Sequence, residues 1–276
     1  MSISAKDVKR LRDITGVGMM DCKKALQETN GDFDAAIDLL RTQGQKVAAK
    51  RADRDAKEGV VATASSADGS TSILVEVNCE TDFVARNSEF QGFADKVAGL
   101  VLSEQPADAD ALMAVTFDGN ETLGEAVIRM TGKIGEKIDV RRHCVETNSG
   151  GKVVSYIHPG AKLGVLVHVS GDGDLDSAGR DVAMQVAALN PIATSRDDVA
   201  DELKAKEMEI AREAARLDGK PEHIIDRIAT GKLERYYKDN VLLEQPFVKD
   251  SSQTVKEMLK TTGASVSGFV RFALGS

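Results

Sequence analysis

The sequence predicts an α+β chain built from several small units, and three patterns lead to that class. Runs that alternate with period two, such as 72–77 and 163–170, are joined to neighbouring runs by short turn signals, which makes hairpins and so antiparallel sheet. Each hairpin is followed by a segment of helical spacing. Two further stretches are helical alone, one at the N-terminus and one, strongly charged, at about 199–238.

Residues 1–57 form the first expected unit, with its linker. Ser4, with Asp7 three positions on, starts a helix carrying Val8 and Leu11 that ends near Thr15-Gly16. Met20 to Thr29 reads as a second helix, broken by Asn30-Gly31. Asp32 caps a third, in which Phe33, Ala36, Ile37 and Leu40 fall at i, i+3, i+4 and i+7. Three short helices in so few residues make a bundle of the ubiquitin-associated type. Val17, Met19 and Met20 sit between the first two helices, where packing into a mini-core and contact with a partner are equally good readings. Gln45 to Glu58 reads as a solvated helical linker.

The core follows as 58–149 and 150–276. Strands at 60–64 and 72–78 flank the turn Ala67-Asp68-Gly69-Ser70, with Ile73, Val75 and Val77 alternating with more polar neighbours. Asn78 to Asn87 then makes a short surface turn before a helix, for which Ser88 and Gln91 supply a capping box and Phe90, Phe93, Val97 and Leu100 the apolar stripe. Loops held between regular elements are where binding residues concentrate, and this one carries Asp82-Phe83. Read from the residues alone, Phe83 folds into the core and Asp82 caps the helix. An apolar stretch at 109–115 follows, then a helix started by the Thr122/Glu125 capping box and a strand at 138–145.

The theme then repeats. Strands at 152–157 and 163–170 flank His158-Pro159-Gly160 and precede a helix with Val182, Val186 and Leu189, and 73–77 aligns with 165–169 as a weak internal repeat. In the charged stretch, Leu203, Ile210 and Leu217 recur every seven residues before a turn at 218–221, with Ile224, Ile228 and Tyr236 on the return. This is a protruding helical hairpin inserted at about 199–238. Gln245-Pro246-Phe247 brings the chain back to the core, a short helix spans 255–259, and a last strand at 266–274 places Val266, Val270 and Phe272 on one face.

The 276 residues are 42% hydrophobic and 29% charged, enough for a sizeable core, which with no Trp must be aliphatic and Ala-rich. A net charge of −8 argues against direct nucleic-acid binding, which needs clustered Lys and Arg. Three widely spaced cysteines, Cys22, Cys79 and Cys144, read as reduced cytoplasmic thiols, and no run is long and apolar enough for a membrane span. No phosphate-cradling loop, metal-ligand spacing or nucleophilic signature occurs, so no cofactor, metal or catalytic set is expected. Asp172, Asp174 and Asp176 mimic the start of a calcium loop, but Ser177 stands where that loop needs Gly. A Cys79–His158 pair has no supporting motif.

The strings Thr81-Asp82-Phe83-Val84-Ala85-Arg86-Asn87 and Gly18-Met19-Met20-Asp21-Cys22-Lys23-Lys24-Ala25-Leu26 resemble the bacterial elongation factor Ts family. The order of segments also resembles it from about Val8 to Phe272, including 156–166 and 244–248. The resemblance implies a guanine nucleotide exchange factor that binds elongation factor Tu in its GDP-bound and nucleotide-free forms and needs no covalent chemistry. It further implies contacts on the GTPase by Thr81, Asp82, Phe83 and Val84, with His158, Met19 and Met20, and leaves a homodimer or a 2:2 complex open. Some family members carry a further C-terminal helix after the last strand, whose contact is expected to be absent or replaced here. The competing class is an adaptor for ubiquitin-like partners, with no exchange activity.

Overall fold

A computed structural model describes residues 3–276, which divide into two compact units. One runs to Ala62 and takes in Val75–Cys144 and Leu274–Ser276; the other comprises Thr63–Leu74 and Val145–Ala273. The class is α+β, as the periodicities predict.

In the first unit, α1 (Ala5–Thr15), α2 (Met19–Glu28) and α3 (Phe33–Arg51) surround a mini-core of Val8, Leu11, Cys22, Ala25, Leu26, Ala36 and Leu40. Ser4 and Asp7 form the expected capping box, and Asp32 caps α3 through the Ala35 N–H at 3.1 Å. The third helix is much longer than its apolar stripe suggested, because it runs without a break into the linker as far as Arg51. Its continuation crosses α7 (Leu123–Ile134) at Gly44 and Gly132. A Cβ on Gly132 would lie 2.6 Å from the Gly44 Cα, so two backbones meet where any side chain would hold them apart. Arg41 pairs with Glu125 across the same crossing. Gly132→Val is expected to cost about 1–3 kcal/mol through overpacking against backbone. Faster amide hydrogen exchange in the second half of α3 would report it, and unchanged protection there would refute the crossing.

Strands β1 (Glu58–Ser65), β2 (Thr71–Cys79) and β5 (Asp139–Thr147) form a sheet ordered β1-β2-β5, and the division between units falls within all three. The expected alternation in β2 is only half the truth, since every residue of that strand is buried. Glu76 is wholly buried and is neutralised by Arg142, whose Nε lies 2.7 Å from its carboxylate; Asn78 Nδ2 donates to the same group at 3.1 Å. A buried carboxylate needs such a partner. Helix α4 (Asp82–Ala85) is a single turn, α5 (Ser88–Glu104) buries Phe90, Phe93, Val97 and Val101, and α6 (Ala109–Ala114) follows. A small β3–β4 ribbon (Thr116–Asp118 and Glu121–Thr122) had no sequence signal. The capping box expected at Thr122 and Glu125 starts α7.

In the second unit, β6 (Lys152–Ile157), β7 (Leu163–Gly171) and β10 (Ala264–Ala273) make an antiparallel sheet with β7 central. Helix α8 (Leu175–Leu189) packs Ala178, Val182, Ala183 and Val186 with Val165, Val167 and Val169, joined by Val255, Met258 and Leu259, of which all three lie on α11 (Val255–Thr262). Leu189, expected in the stripe, is exposed because α8 ends there at Asn190, which takes a left-handed conformation (φ 46°). The buried amide of Gln185 donates to Gln245 Oε1 and to the Pro246 carbonyl, both at 3.1 Å, and accepts from the Val248 N–H at 2.8 Å. That pairing fixes the chain's return into the β8–β9 ribbon (Pro246–Phe247 and Asp250–Thr254).

Two expectations are corrected here. In β10, Val266 pairs with Val169 but Gly268 pairs with His168, so Ser267 is an extra residue. This bulge reverses the alternation: Val266 and Phe269 join the α8-covered core, whereas Val270 and Phe272 lie opposite Leu166 and Gly164, on the other face. In the hairpin of α9 (Asp201–Leu217) and α10 (Glu222–Asn240), the seven-residue stripe is not the seam. Ile210 is 52% and Leu217 87% exposed, while Ala211, Ala215, Ile225 and Ala229 are buried. Small side chains at i and i+4 let the two helices approach closely, and Arg212–Asp226 (2.8 Å) and Arg216–Glu222 (3.2 Å) bridge them.

Candidate partner-binding loop

The stretch between β2 and α5 is short because it holds its own turn of helix. Thr81 leaves β2 extended, and its Oγ1 accepts from the Val84 N–H at 3.4 Å, so Thr81 rather than Asp82 is the cap of α4. Asp82 instead pairs with Arg86 on the next turn. The Asn87 N–H closes onto the Val84 carbonyl at 2.9 Å, and the Asn87 side chain accepts from the Glu89 N–H at 2.8 Å. That makes Asn87 the cap of α5, one residue before the expected Ser88. Gln91, expected to complete a capping box with Ser88, instead donates to the Ala85 carbonyl at 3.2 Å and ties α4 to α5.

Within this turn Ala85 is the buried foot and Val84 is half-buried. Phe83 is 83% exposed, so it does not fold into the core. A phenyl ring so exposed adds almost no burial to the fold, so the packing of this unit gives no reason for an aromatic at this position.

Residues distant in sequence hold the turn, and sequence reasoning missed them. Glu136 accepts from Thr81 at both of its oxygens, from the N–H at 3.0 Å and from the hydroxyl at 2.7 Å. Glu80 accepts at 2.7 Å from the Lys137 N–H and at 2.7 Å from Arg51 at the end of α3. No local pattern marks these acceptors; the Gly135 C-cap that delivers Glu136 is the only trace of them in the sequence. The Lys137 N–H, reinforced by Arg51, holds the Glu80 carboxyl below the ordinary glutamate value of 4.5. A carboxyl depressed in the folded state stabilises fully above that ordinary value, and the contribution is lost as pH falls through the depressed one. Glu80→Gln is therefore expected to be less stable than the native chain at pH 7, with the gap closing in acid. Denaturant titrations at several pH values measure it, and a gap independent of pH would contradict the assignment.

Cys79 is buried beneath the turn, donating to the Thr81 carbonyl at 3.1 Å. Burial, with Glu136 nearby, pushes its thiol up to about 12, which removes it as a nucleophile at neutral pH.

Met19 and Met20 share the first turn of α2, 41% and 62% exposed, whereas neighbouring Val17 packs against the mini-core. The two methionines thus lie on the surface side of the core-or-contact choice. His158 is exposed at the β6–β7 turn, in the other unit, where its Nδ1 lies 3.0 Å from the Tyr156 hydroxyl and the two rings stack edge to face. Thr81 to Val84 lie together on the cap and single turn of α4, and Met19 and Met20 open α2.

None of the described helices is long and apolar enough to cross a membrane. The family model described as "Elongation factor TS" matches residues 80–276. The chain is 50% identical to Elongation factor Ts of Prosthecochloris aestuarii, an alignment covering 99% of both chains. It is 46% identical to Elongation factor Ts of Chloroherpeton thalassium, over 99% of this chain and 98% of that one. Elongation factor Ts of Alkalilimnicola ehrlichii is 48% identical over 100% of this chain and 93% of its own. With a matched family model over most of its length and relatives aligned end to end, the chain belongs to the elongation factor Ts family.

Proposed function

We propose that the chain is a guanine nucleotide exchange factor for elongation factor Tu in translation elongation, acting by binding and without covalent chemistry. The observation that carries this reading is Phe83, an aromatic ring displayed at the tip of a clamped turn inside the family's own motif.

The mechanism is linkage. A GTPase holds GDP through backbone amides and Mg²⁺. A protein that binds its nucleotide-free form more tightly than its GDP form must weaken GDP by the same ratio. Each tenfold of weakening takes about 1.4 kcal/mol of differential contact, and one desolvated aromatic anchor can supply more than one such step. In this reading Phe83 enters the GTPase as the anchor, backed by Val84 and held by Thr81. Asp82 exchanges Arg86 for the groups around Mg²⁺. Met19 and Met20 fasten the ubiquitin-associated-like bundle to the GTPase, and His158, steadied by Tyr156, adds a contact from the second unit. The three-part division at 57 and 149 and the assembly state belong to the same proposal.

Release of a fluorescent GDP analogue from elongation factor Tu, with and without the chain, tests it. Acceleration is expected. A folded chain that leaves the rate unchanged, yet captures ubiquitin-like proteins, would replace exchange by the adaptor reading.

A further inference from the structure

We infer that Glu136 is a positioning residue for the Phe83 turn, and that Glu80 and Arg51 tie that setting to the end of α3. The inference rests on the exchange reading and adds to it which residues hold the anchor ready.

Phe83 is so exposed that its own side chain does little to fix its direction. Where the ring points is decided by the backbone of a four-residue helix, too short to be stable by itself. The cap must therefore be held from outside. Thr81 has one hydroxyl proton, and Glu136 Oε1 takes it at 2.7 Å, which leaves an oxygen lone pair free to accept the Val84 N–H. Glu136 Oε2 takes the Thr81 N–H at 3.0 Å, so both the position and the rotation of the capping residue are set by one carboxylate. A charged acceptor used at two points is stronger and more directional than a neutral one.

The grip is doubled one residue along. Lys137, next to Glu136, gives its N–H to Glu80, next to Thr81, at 2.7 Å. Residues 136 and 137 thus hold 81 and 80 as a matched pair. The segment is itself anchored, since the Ile138 N–H donates to the buried Thr131 hydroxyl at 3.1 Å. Arg51 reaches Glu80 at 2.7 Å, and Lys137 Nζ donates to the Ala52 carbonyl at 2.7 Å, which brings the end of α3 into the same network. The methionines of α2 and the phenylalanine of α4 are in this way joined through α3 and a short chain of charge-assisted hydrogen bonds. An anchor held in its binding geometry before contact loses less entropy on binding.

The test is steady-state exchange on elongation factor Tu loaded with fluorescent GDP, using the full chain. Glu136→Ala is expected to lower kcat about tenfold with KM changed less than about threefold, because the turn still docks but the ring is misdirected. Glu136→Gln keeps one acceptor and is expected to fall between the two. In a Phe83→Ala background, Glu136→Ala is expected to add no further loss, since nothing remains to be aimed. Equal loss in both backgrounds, a change in KM alone, or no rescue by glutamine would overturn the inference. Should Glu136→Ala fail to fold, Glu136→Gln against Phe83→Ala carries the same comparison. Failure of the native chain to release GDP would remove the exchange reading itself, which separates that failure from this one.

Discussion

Phe83→Ala is expected to lower the saturating rate of GDP release from elongation factor Tu by about a hundredfold, the effect of losing a central aromatic anchor of about 2–4 kcal/mol. The same change is expected to leave thermal stability within about a degree. With 83% of its surface in solvent, the ring contributes almost no burial to lose. Alanine also suits the helical turn that holds it. Full exchange activity from a normally folded Phe83→Ala chain would sink the anchor. Combining it with Asp82→Ala asks whether the neighbouring carboxylate adds to the effect or works only through the ring.

The second large effect lies seven residues along the chain, in the same residue type. Phe90 is wholly buried in the first turn of α5, and Phe90→Ala is expected to cost about 3–5 kcal/mol of stability, transfer and cavity together. In a chain of this size each kcal/mol moves the melting temperature by about 2–4 °C, so a loss of roughly 10 °C is expected. Exchange measured well below that midpoint is expected to persist at more than about a third of the native rate, since Asn87 still caps α5 and Glu136 still holds Thr81. A Phe90→Ala chain as stable as the native one would mean that α5 is not docked as described. The two substitutions separate an anchor from a core residue more cleanly than either alone.

The pair also shows where sequence reasoning reached its limit. Period and spacing put Phe90 inside with Phe93, Val97 and Leu100; the structure buries the first three but takes Val101 in place of Leu100, which is only half-buried. No periodicity exists across a turn of four residues, so the same hydrophobicity argument wrongly placed Phe83 inside as well. The methionines were undecidable for a similar reason: three short helices share one mini-core, and only their packing, which takes in Val17, leaves Met19 and Met20 outside it.

What the sequence determined by itself is what local chemistry governs. The capping boxes at Ser4/Asp7 and Thr122/Glu125 and the turns at Gly69 and Gly160 act over a few residues, so their physics is complete within a short window. The α+β class and the family motif follow from such windows in order. Tertiary structure alone decided the rest. The Ala211, Ala215, Ile225 and Ala229 seam won over the leucine stripe because close approach of two helices outweighs side-chain size. The extra residue at Ser267 turned the end of β10 over, since the register against β7 is fixed by pairing and not by alternation along one strand. Thr81 found its acceptor on Glu136, 55 residues away, because a hydrogen bond depends on position in space and leaves no period in the chain.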